Sequence, residues 1–260
     1  MSSATRFLTA AGLEFAYFSG LARLREGRTG GAGAILRLER IRPAQAGRFQ
    51  PLQAREITPE FLERIIQALK RWKFDIVSMD EVCLRARQPK AGRRFVALTF
   101  DGGYCDVVTH GYPVLARHDI PFAIYLPTAF PDGLGEAWWL ALQGVIAQHD
   151  RVSLMMDGRE QHFGAASVAE KHELYNFIAN WMQSLVPVEL SAAINDLCKR
   201  YSVDLAAVSR DASMTWEHVA QLAADPRVTI GSSTVNSPML SAMPDDLALR
   251  EIAMGKAVAQ

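Results

Sequence analysis

The chain has 260 residues, and its 28 Lys and Arg residues balance 28 Asp and Glu residues, so the formal net charge at pH 7 is zero. A hydrophobic share of 49% is enough to bury a substantial core, which excludes an intrinsically disordered chain. Because there is no basic surplus to neutralise phosphates, the charge balance argues against nucleic acid and anionic membrane surfaces as partners. An uncharged ligand suits this balance better than a polyanion.

Apolar side chains recur at helical spacing in residues 1–30, which predicts an amphipathic packing helix rather than a signal peptide or a membrane-attached segment. No apolar stretch reaches the roughly 18 residues that a transmembrane helix requires, so no membrane span is expected. The apolar residues of this predicted helix are Phe7, Leu8, Ala11, Phe15, Phe18 and Ala22.

The three cysteines, Cys83, Cys105 and Cys198, lie far apart and match no metal-binding spacing. A sparse, odd number of cysteines suits free thiols in a reducing compartment better than a set of disulfides. We therefore expect a cytoplasmic protein.

The first half of the chain predicts alternating strands and helices. Its strongest strand is the apolar run FVALTF at 95–100, which is typical of a strand buried on both faces. A strand, a helix and a strand at this spacing form a right-handed crossover unit, so the predicted fold class is α/β. In chain order we predict a strand over 34–38, a helix that begins with Thr58 as N-cap and Pro59, a strand over 74–79, a helix from Asp80, a strand over 95–100, a helix from Val107 to Leu115 and a strand over 122–126.

The segment at about 130–215 predicts a mainly helical insertion with one β-hairpin, in which Asp157 and Gly158 form the turn. The chain then returns to a short strand that ends in a polar loop. The predicted elements are helices over 136–149, 167–185, 187–201 and 215–224, a strand over 228–232 and a final helix from Asp245.

Two polar segments directly follow buried strands, namely Asp101 after FVALTF and the loop Ser232–Ser237 after VTIG. The carboxyl ends of parallel strands are where reactive groups gather in α/β folds. Asp101 is therefore a candidate general base. The alternative is that Asp101 caps the following helix and that the glycines after it only form a turn.

Taken together, TFDGGY at 99–104 and IGSSTVNSPML at 230–240 resemble the two metal-site motifs of the NodB-homology polysaccharide deacetylases, TFDDGY and GxHTxxHP. The segments GAGAILRL, GYPVLARHDIPFAIYLPTAF and MTWEHVAQLAADPRVTIG also look like their counterparts in that family, and the resemblance extends from about residue 30 to residue 255. It implies a deacetylase-type domain over 31–260, following the helix over 1–30. The fold it implies is a partial or distorted (β/α) barrel with the helical insertion.

The departures from the family motifs fall on the metal ligands. By the resemblance, Asp101 corresponds to the general base, and Gly102, Ser233 and Ser237 replace the Asp and the two His that bind the metal. Glycine has no side chain to donate, and a serine hydroxyl is a poor ligand beside imidazole or carboxylate. Glu39 also stands where relatives often carry histidine. The resemblance therefore implies no metal and no other cofactor.

These replacements predict a catalytically inactive relative with a carbohydrate-binding or scaffolding role, in which Asp101 is a vestigial base. Tyr104, Thr234 and Asn236 are the candidate substrate-binding residues. The alternative is an active carbohydrate deacetylase that hydrolyses N- or O-acetyl groups through a rearranged site around Asp101. A Ser233-based hydrolase triad is disfavoured because the sequence has no G-x-S-x-G elbow.

Family members continue beyond the second motif with an arginine–proline–tyrosine segment and a late leucine-x-x-histidine motif, and neither occurs before this chain ends. About five strands are expected in the main sheet, so strand edges are expected to stay unpaired. We therefore expect self-association, or docking on a partner such as an intact deacetylase.

Five further residues are of types that often occur in functional sites. Asp106 and His110 share a helix face beside Asp101, but they are more simply interpreted as solvated helix residues. His118 is expected to complement a helix dipole. The pair Trp138 and Trp139 could stack on sugar rings, although core packing is the more common role of such residues.

Overall fold

The structure is a computed structural model and describes residues 31–87 and 93–260. The strands are β1 Gly33–Leu38, β2 Arg40–Ile41, β3 Glu56–Ile57, β4 Asp75–Ile76, β5 Phe95–Asp101, β6 Phe122–Leu126, β7 Arg151–Met156, β8 Arg159–Gly164 and β9 Val228–Ser232. The central sheet has five parallel strands: four follow the order β1-β5-β6-β9, and β4 pairs with the first residues of β5. Two two-stranded pairs, β2 with β3 and β7 with β8, lie outside this sheet.

Helices connect the strands and pack against the sheet. Among those that the structure describes, none combines the length and the apolar character needed to cross a membrane. The helices are α1 Pro59–Arg71, α2 Met79–Ala86, α3 Tyr112–Arg117, α4 Trp138–Gln148, α5 Val168–Ser184, α6 Pro187–Arg200, α7 Leu205–Ala212, α8 Trp216–Ala223 and α9 Asp245–Ala259.

The central strand β5 explains why the sheet forms. Its residues from Phe95 to Phe100 are all buried, as expected for a parallel strand that is covered on both faces. Phe100 packs edge-to-face on Phe122 of β6, with ring centroids 5.6 Å apart. Because all strands of the sheet run in the same direction, Asp101 and Ser232 emerge at the same edge.

The segment 130–215 has a hydrophobic core of its own. The predicted hairpin is found as β7 and β8, which pack with α4, α5 and α6. Helix α5 begins with a capping box in which Ser167 and Glu170 exchange side-chain and backbone hydrogen bonds. The central side chains of this core are Leu142, Val145, Ile146, Val152, Leu154, Ile178, Met182, Ile194 and Leu197.

The α/β fold class with a parallel sheet is confirmed, and the sheet is open among the described strands, with β1 and β9 at its edges. Two elements differ in extent from the predictions. The strand expected over 74–79 has only two residues, because Ser78 already caps α2. The helix expected from Val107 starts with a π-helical turn over Val107–Gly111, next to Pro113, which lacks a backbone donor.

Helix α7 and the pair β2 and β3 were not predicted, since these segments are short and carry weak periodicity. The helix predicted over 1–30 lies outside the described residues.

Candidate functional site

A cavity of about 400 Å³ opens at the carboxyl edge of the sheet, around Asp101. Its wall is formed by β1 and the residue after it, the turn at 53–55, β5 and the turn after it, the segment 127–139, helix α5 and the loop after β9. The wall residues are Arg37, Glu39, Arg55, Asp101, Gly102, Tyr104, Pro127, Trp138, Trp139, Gln183, Ser233, Ser237, Pro238 and Met239. The two motifs that carry the family resemblance therefore meet at one cavity.

Strand register brings Arg37 to Asp101. Arg37 pairs with Thr99 across β1 and β5, and Thr99 and Asp101 point to the same face because side chains alternate along a strand. The Nε of Arg37 donates a hydrogen bond to Oδ2 of Asp101. This hydrogen bond is the main cause of a raised pKa for Arg37. The carboxylate of the candidate base is thus held by a guanidinium from the neighbouring strand.

Glu39 links this ion pair to a second arginine. Its Oε1 accepts from Nη2 of Arg37 at 3.0 Å, and its Oε2 lies 3.6 Å from Nη1 of Arg55. The cavity wall consequently carries two guanidinium groups and two carboxylates that pair with one another. Their formal charges cancel, so these four groups carry no net charge.

Gly102 has a backbone conformation that disfavours any side chain. Its φ is +99°, in a region that L-residues rarely adopt. A Cβ at this position would meet Cε2 of the Tyr104 ring at 2.7 Å. The backbone at Gly102 therefore disfavours an aspartate, the residue that the resemblance would place at this position.

Hydrogen bonds fix the conformation of the loop after β9. Ser233 N donates to Leu126 O at 2.8 Å, which extends the β6–β9 pairing past the end of the strand. Ser237 N donates to Thr234 Oγ1 at 3.0 Å, and both of these residues have positive φ, 55° and 67°. Thr234 therefore stabilises the loop with its hydroxyl, while Ser233 and Ser237 line the cavity.

Glu251 on α9 fixes the same loop from outside. Its Oε2 accepts from the backbone N–H groups of Val235 at 3.0 Å and Asn236 at 3.1 Å, and its Oε1 accepts from Asn236 Nδ2 at 3.0 Å. Gly255 lets the helix approach closely, since a Cβ there would lie 2.5 Å from the carbonyl carbon of Thr234. The side chain of Asn236 is thus engaged with Glu251 rather than directed at the cavity around Asp101.

Tyr104 is a buried member of the cavity wall. Its hydroxyl accepts a hydrogen bond from Trp139 Nε1 at 2.9 Å, and the guanidinium of Arg40 lies 4.7 Å from its ring centroid. Burial raises the pKa of Tyr104 to about 12, so its hydroxyl stays protonated at neutral pH. Of the three candidate substrate-binding residues, Tyr104 lines this cavity and Thr234 and Asn236 do not.

The interpretation of Asp106 as a solvated residue is wrong. Asp106 is buried, and its carboxylate accepts from Arg40 Nε at 2.7 Å and from Ile41 N at 3.2 Å. It therefore ties β2 to the turn that follows Asp101. His110, in the adjoining π-helical turn, is half-buried and does not line the cavity around Asp101.

His118, Trp138 and Trp139 each contact another side chain of the folded protein. His118 ends α3, and its Nε2 contacts Oε1 of Glu63 on α1. Trp139 stacks on Phe130 with ring centroids 6.1 Å apart and meets Trp138 edge-to-face at 5.7 Å. Both tryptophans are half-buried and also line the cavity, so packing does not remove them from its wall.

The residues of this cavity do not fit a catalytic metal ion. A catalytic zinc normally takes three protein ligands and keeps one open position. Here both carboxylates are paired with arginines, and Gly102, Ser233 and Ser237 supply no charged or imidazole ligand. Within residues 31–87 and 93–260, no group of three or more His, Cys, Asp or Glu side chains is arranged to hold a metal.

Sequence reasoning missed Arg37, Arg55 and Gln183 as members of this site. Arg37 is a charged residue near the carboxyl end of the apolar strand GAILRL. A charged residue at the end of an apolar strand is also what made Asp101 a candidate, so this pattern could have identified Arg37. Arg55 lies in a short 3-10 turn, and Gln183 lies near the end of α5, far from Asp101 in the chain. No motif marks either of them, so only the packing of α5 and the segment 53–55 against the sheet edge brings them here.

No known family model matches the chain, and no curated protein is similar to it in sequence. Solved structures do align with its fold. The Streptococcus pyogenes deacetylase PplD, solved in complex with acetate, is 14% identical with a TM-score of 0.49, over 86% of this chain and 66% of that chain. IcaB from Ammonifex degensii is 16% identical with a TM-score of 0.48, over 88% and 68%. A de-N-acetylase from Aggregatibacter actinomycetemcomitans is 15% identical with a TM-score of 0.41, over 78% and 55%.

Two of these structures are described as deacetylases. The chain spans between about half and two thirds of the length of these structures. At such identities the likeness concerns the fold, and the activity of those proteins is not transferred to this chain.

Proposed function

We propose that this protein is a non-catalytic relative of the polysaccharide deacetylases that binds an uncharged glycan in the cavity around Asp101. The observation that carries the proposal is the ion pair between Arg37 and Asp101. The candidate base is held by a guanidinium in the same cavity where Gly102, Ser233 and Ser237 replace the ligands expected from the resemblance.

The polar groups of the cavity support a neutral, hydroxyl-rich ligand. The arginines and carboxylates pair with one another, so together these four groups offer a ligand no net charge. The Gln183 amide and the Ser233 and Ser237 hydroxyls also line the cavity and can exchange hydrogen bonds with sugar hydroxyls. The exposed surface of the wall is more polar than apolar, which suits a ligand rich in hydroxyl groups.

Binding of N-acetylglucosamine disaccharide, followed by calorimetry and by tryptophan fluorescence, tests this proposal. We expect saturable binding with a fluorescence change, because Trp138 and Trp139 line the cavity. Gln183→Leu should weaken binding about three- to tenfold, the value of one neutral hydrogen bond. The matched control is Gln148→Leu, an exposed residue outside the cavity wall, which should bind as the parent protein does.

The alternative is an active deacetylase with a rearranged site around Asp101. Elemental analysis and acetate release from acetylated chito-oligosaccharides separate the two functions. We expect metal far below one equivalent and no acetate above the rate without protein. Turnover that is lost in Asp101→Asn would overturn the non-catalytic function in favour of the enzyme.

We also propose that the protein resides in the cytoplasm, since its cysteines are free thiols, two of them at least partly buried. Association with a second copy or with an intact deacetylase stays a prediction from the sequence. Size-exclusion chromatography with light scattering tests self-association, and a monomer at all micromolar concentrations would contradict it.

A further inference from the structure

A second cavity of about 430 Å³ adjoins the one around Asp101. The two share the wall residues Trp138, Ser237, Pro238 and Met239, so they lie side by side. The remaining wall comes from the segments 134–136 and 185–191 of the helical block (residues 130–215), together with Asn236, Met243 and Glu251. Both cavities have the size of ordinary small-molecule sites, roughly 300–1,000 Å³.

Apolar side chains stand exposed around this second cavity. Val188 is 80% exposed, Leu134 is 74% exposed and Met239 is 44% exposed. Isolated exposed apolar residues are common, but a group of them around a concavity is typical of a ligand-binding groove. The CH faces of pyranose rings are apolar and pack on such side chains and on aromatic rings, and Trp138 stands between the two cavities.

The charged groups of the second cavity are already engaged. Glu136 Oε1 accepts from Ser191 Oγ at 2.9 Å and from Asn195 Nδ2 at 2.8 Å. Glu251 accepts from the loop after β9, as described above. Neither Lys nor Arg occurs among the described residues that line this cavity, so a phosphate or carboxylate on a ligand would meet acidic neighbours without a counter-charge.

We propose that the second cavity is an additional saccharide subsite, so that the protein binds an uncharged glycan of several units rather than one or two sugars. The proposal rests on the proposed function, because the same glycan occupies the cavity around Asp101 and continues past Trp138. The helical block thereby contributes binding surface to the site at the sheet edge.

The test compares the N-acetylglucosamine disaccharide with the hexasaccharide by calorimetry, using the full chain. We expect the hexasaccharide to bind at least about tenfold more tightly, because it alone reaches both cavities. The double variant Leu134→Asp with Val188→Asp should remove this difference and leave disaccharide binding unchanged. Both residues are highly exposed, and Asp in the first turn of α6 suits the helix dipole, so the fold should be kept.

A matched control is Leu84→Asp with Val168→Asp, two exposed apolar residues outside both cavities, which should keep the tighter hexasaccharide binding. Equal affinity of the parent protein for the two sugars would overturn the second subsite while glycan binding stands. Tighter binding of an oligouronate of the same length would overturn the assignment of an uncharged ligand. Binding of neither neutral sugar would overturn the proposed function and this inference together.

Discussion

The guanidinium of Arg37 on β1 bonds the carboxylate of Asp101 on β5, two strands that are direct neighbours in the parallel sheet. Asp101 is the last residue of a strand whose other residues are all buried, and the sequence predicts it as a general base. In the folded chain its charge is balanced by a side chain 64 positions earlier. The positively charged side chain of Arg37 thus lies next to the Asp101 carboxylate at the centre of the candidate site.

We expect this ion pair to contribute little to stability, because the Arg37 side chain is 63% exposed and exposed pairs are worth about 0–1 kcal/mol. Arg37→Leu should lower the free energy of unfolding by less than about 1 kcal/mol in urea titrations. Arg93→Leu is the matched control, since Arg93 is 71% exposed and lies 4.0 Å from Asp75. A loss of several kcal/mol for Arg37→Leu alone would show that the pair holds the sheet together.

Gly102→Ala should destabilise the protein by about 1–3 kcal/mol, because its φ of +99° strains any L-residue and the new Cβ would press on the Tyr104 ring. Gly144→Ala is the opposite case: it lies in α4, where a Cβ would meet no neighbouring atom within 4 Å, and it should stabilise by up to about 1 kcal/mol. Urea unfolding of the two variants measures the difference. Equal effects would contradict the strained backbone at Gly102.

Glu251→Gln should loosen the loop after β9, because an amide keeps only one acceptor oxygen for the three N–H donors that the carboxylate now serves. We expect a loss of about 1–2 kcal/mol and faster hydrogen exchange at the amides of Val235 and Asn236. Glu173→Gln, at an exposed position of α5, is the control and should leave this exchange unchanged. Unaltered protection in Glu251→Gln would show that the loop does not depend on α9.

Stability should fall in acid partly because of Asp225. Arg227 and Tyr112 donate to its carboxylate, at 2.6 Å and 2.9 Å, and the hydrogen bonds from Arg227 are the main cause of a pKa well below the usual range. A carboxyl group whose pKa is depressed by folding stabilises the protein above its unfolded pKa, about 3.9, and this contribution is lost as the pH falls below that value.

Urea unfolding between about pH 7 and about pH 2 measures this contribution. Asp225→Asn should be less stable at neutral pH and should lose less stability on acidification than the parent protein. Asp150→Asn, at a side chain that is 76% exposed, should follow the parent curve. An Asp225→Asn curve parallel to that of the parent would contradict a depressed pKa in the folded state.

The local elements of this protein are determined largely by its sequence. The apolar run 95–100, the cap at Thr58 and the turn at Asp157 each contain the residues that form them, and the structure has the corresponding strand, helix and hairpin. The two motifs around Asp101 and Ser233 could likewise be found from the sequence, because their residues are close together in the chain and follow predicted strands.

The chemistry of the site was decided by tertiary structure. Strand register, which no local pattern specifies, brings Arg37 to Asp101, and the packing of α5 adds Gln183 to the same wall. The burial of Asp106 and the engagement of Asn236 by Glu251 depend on segments far away in the chain. The zero net charge of the whole chain followed from counting residues, whereas the pairing of the charges in the cavity required the folded sheet, because only the fold sets the distances between them.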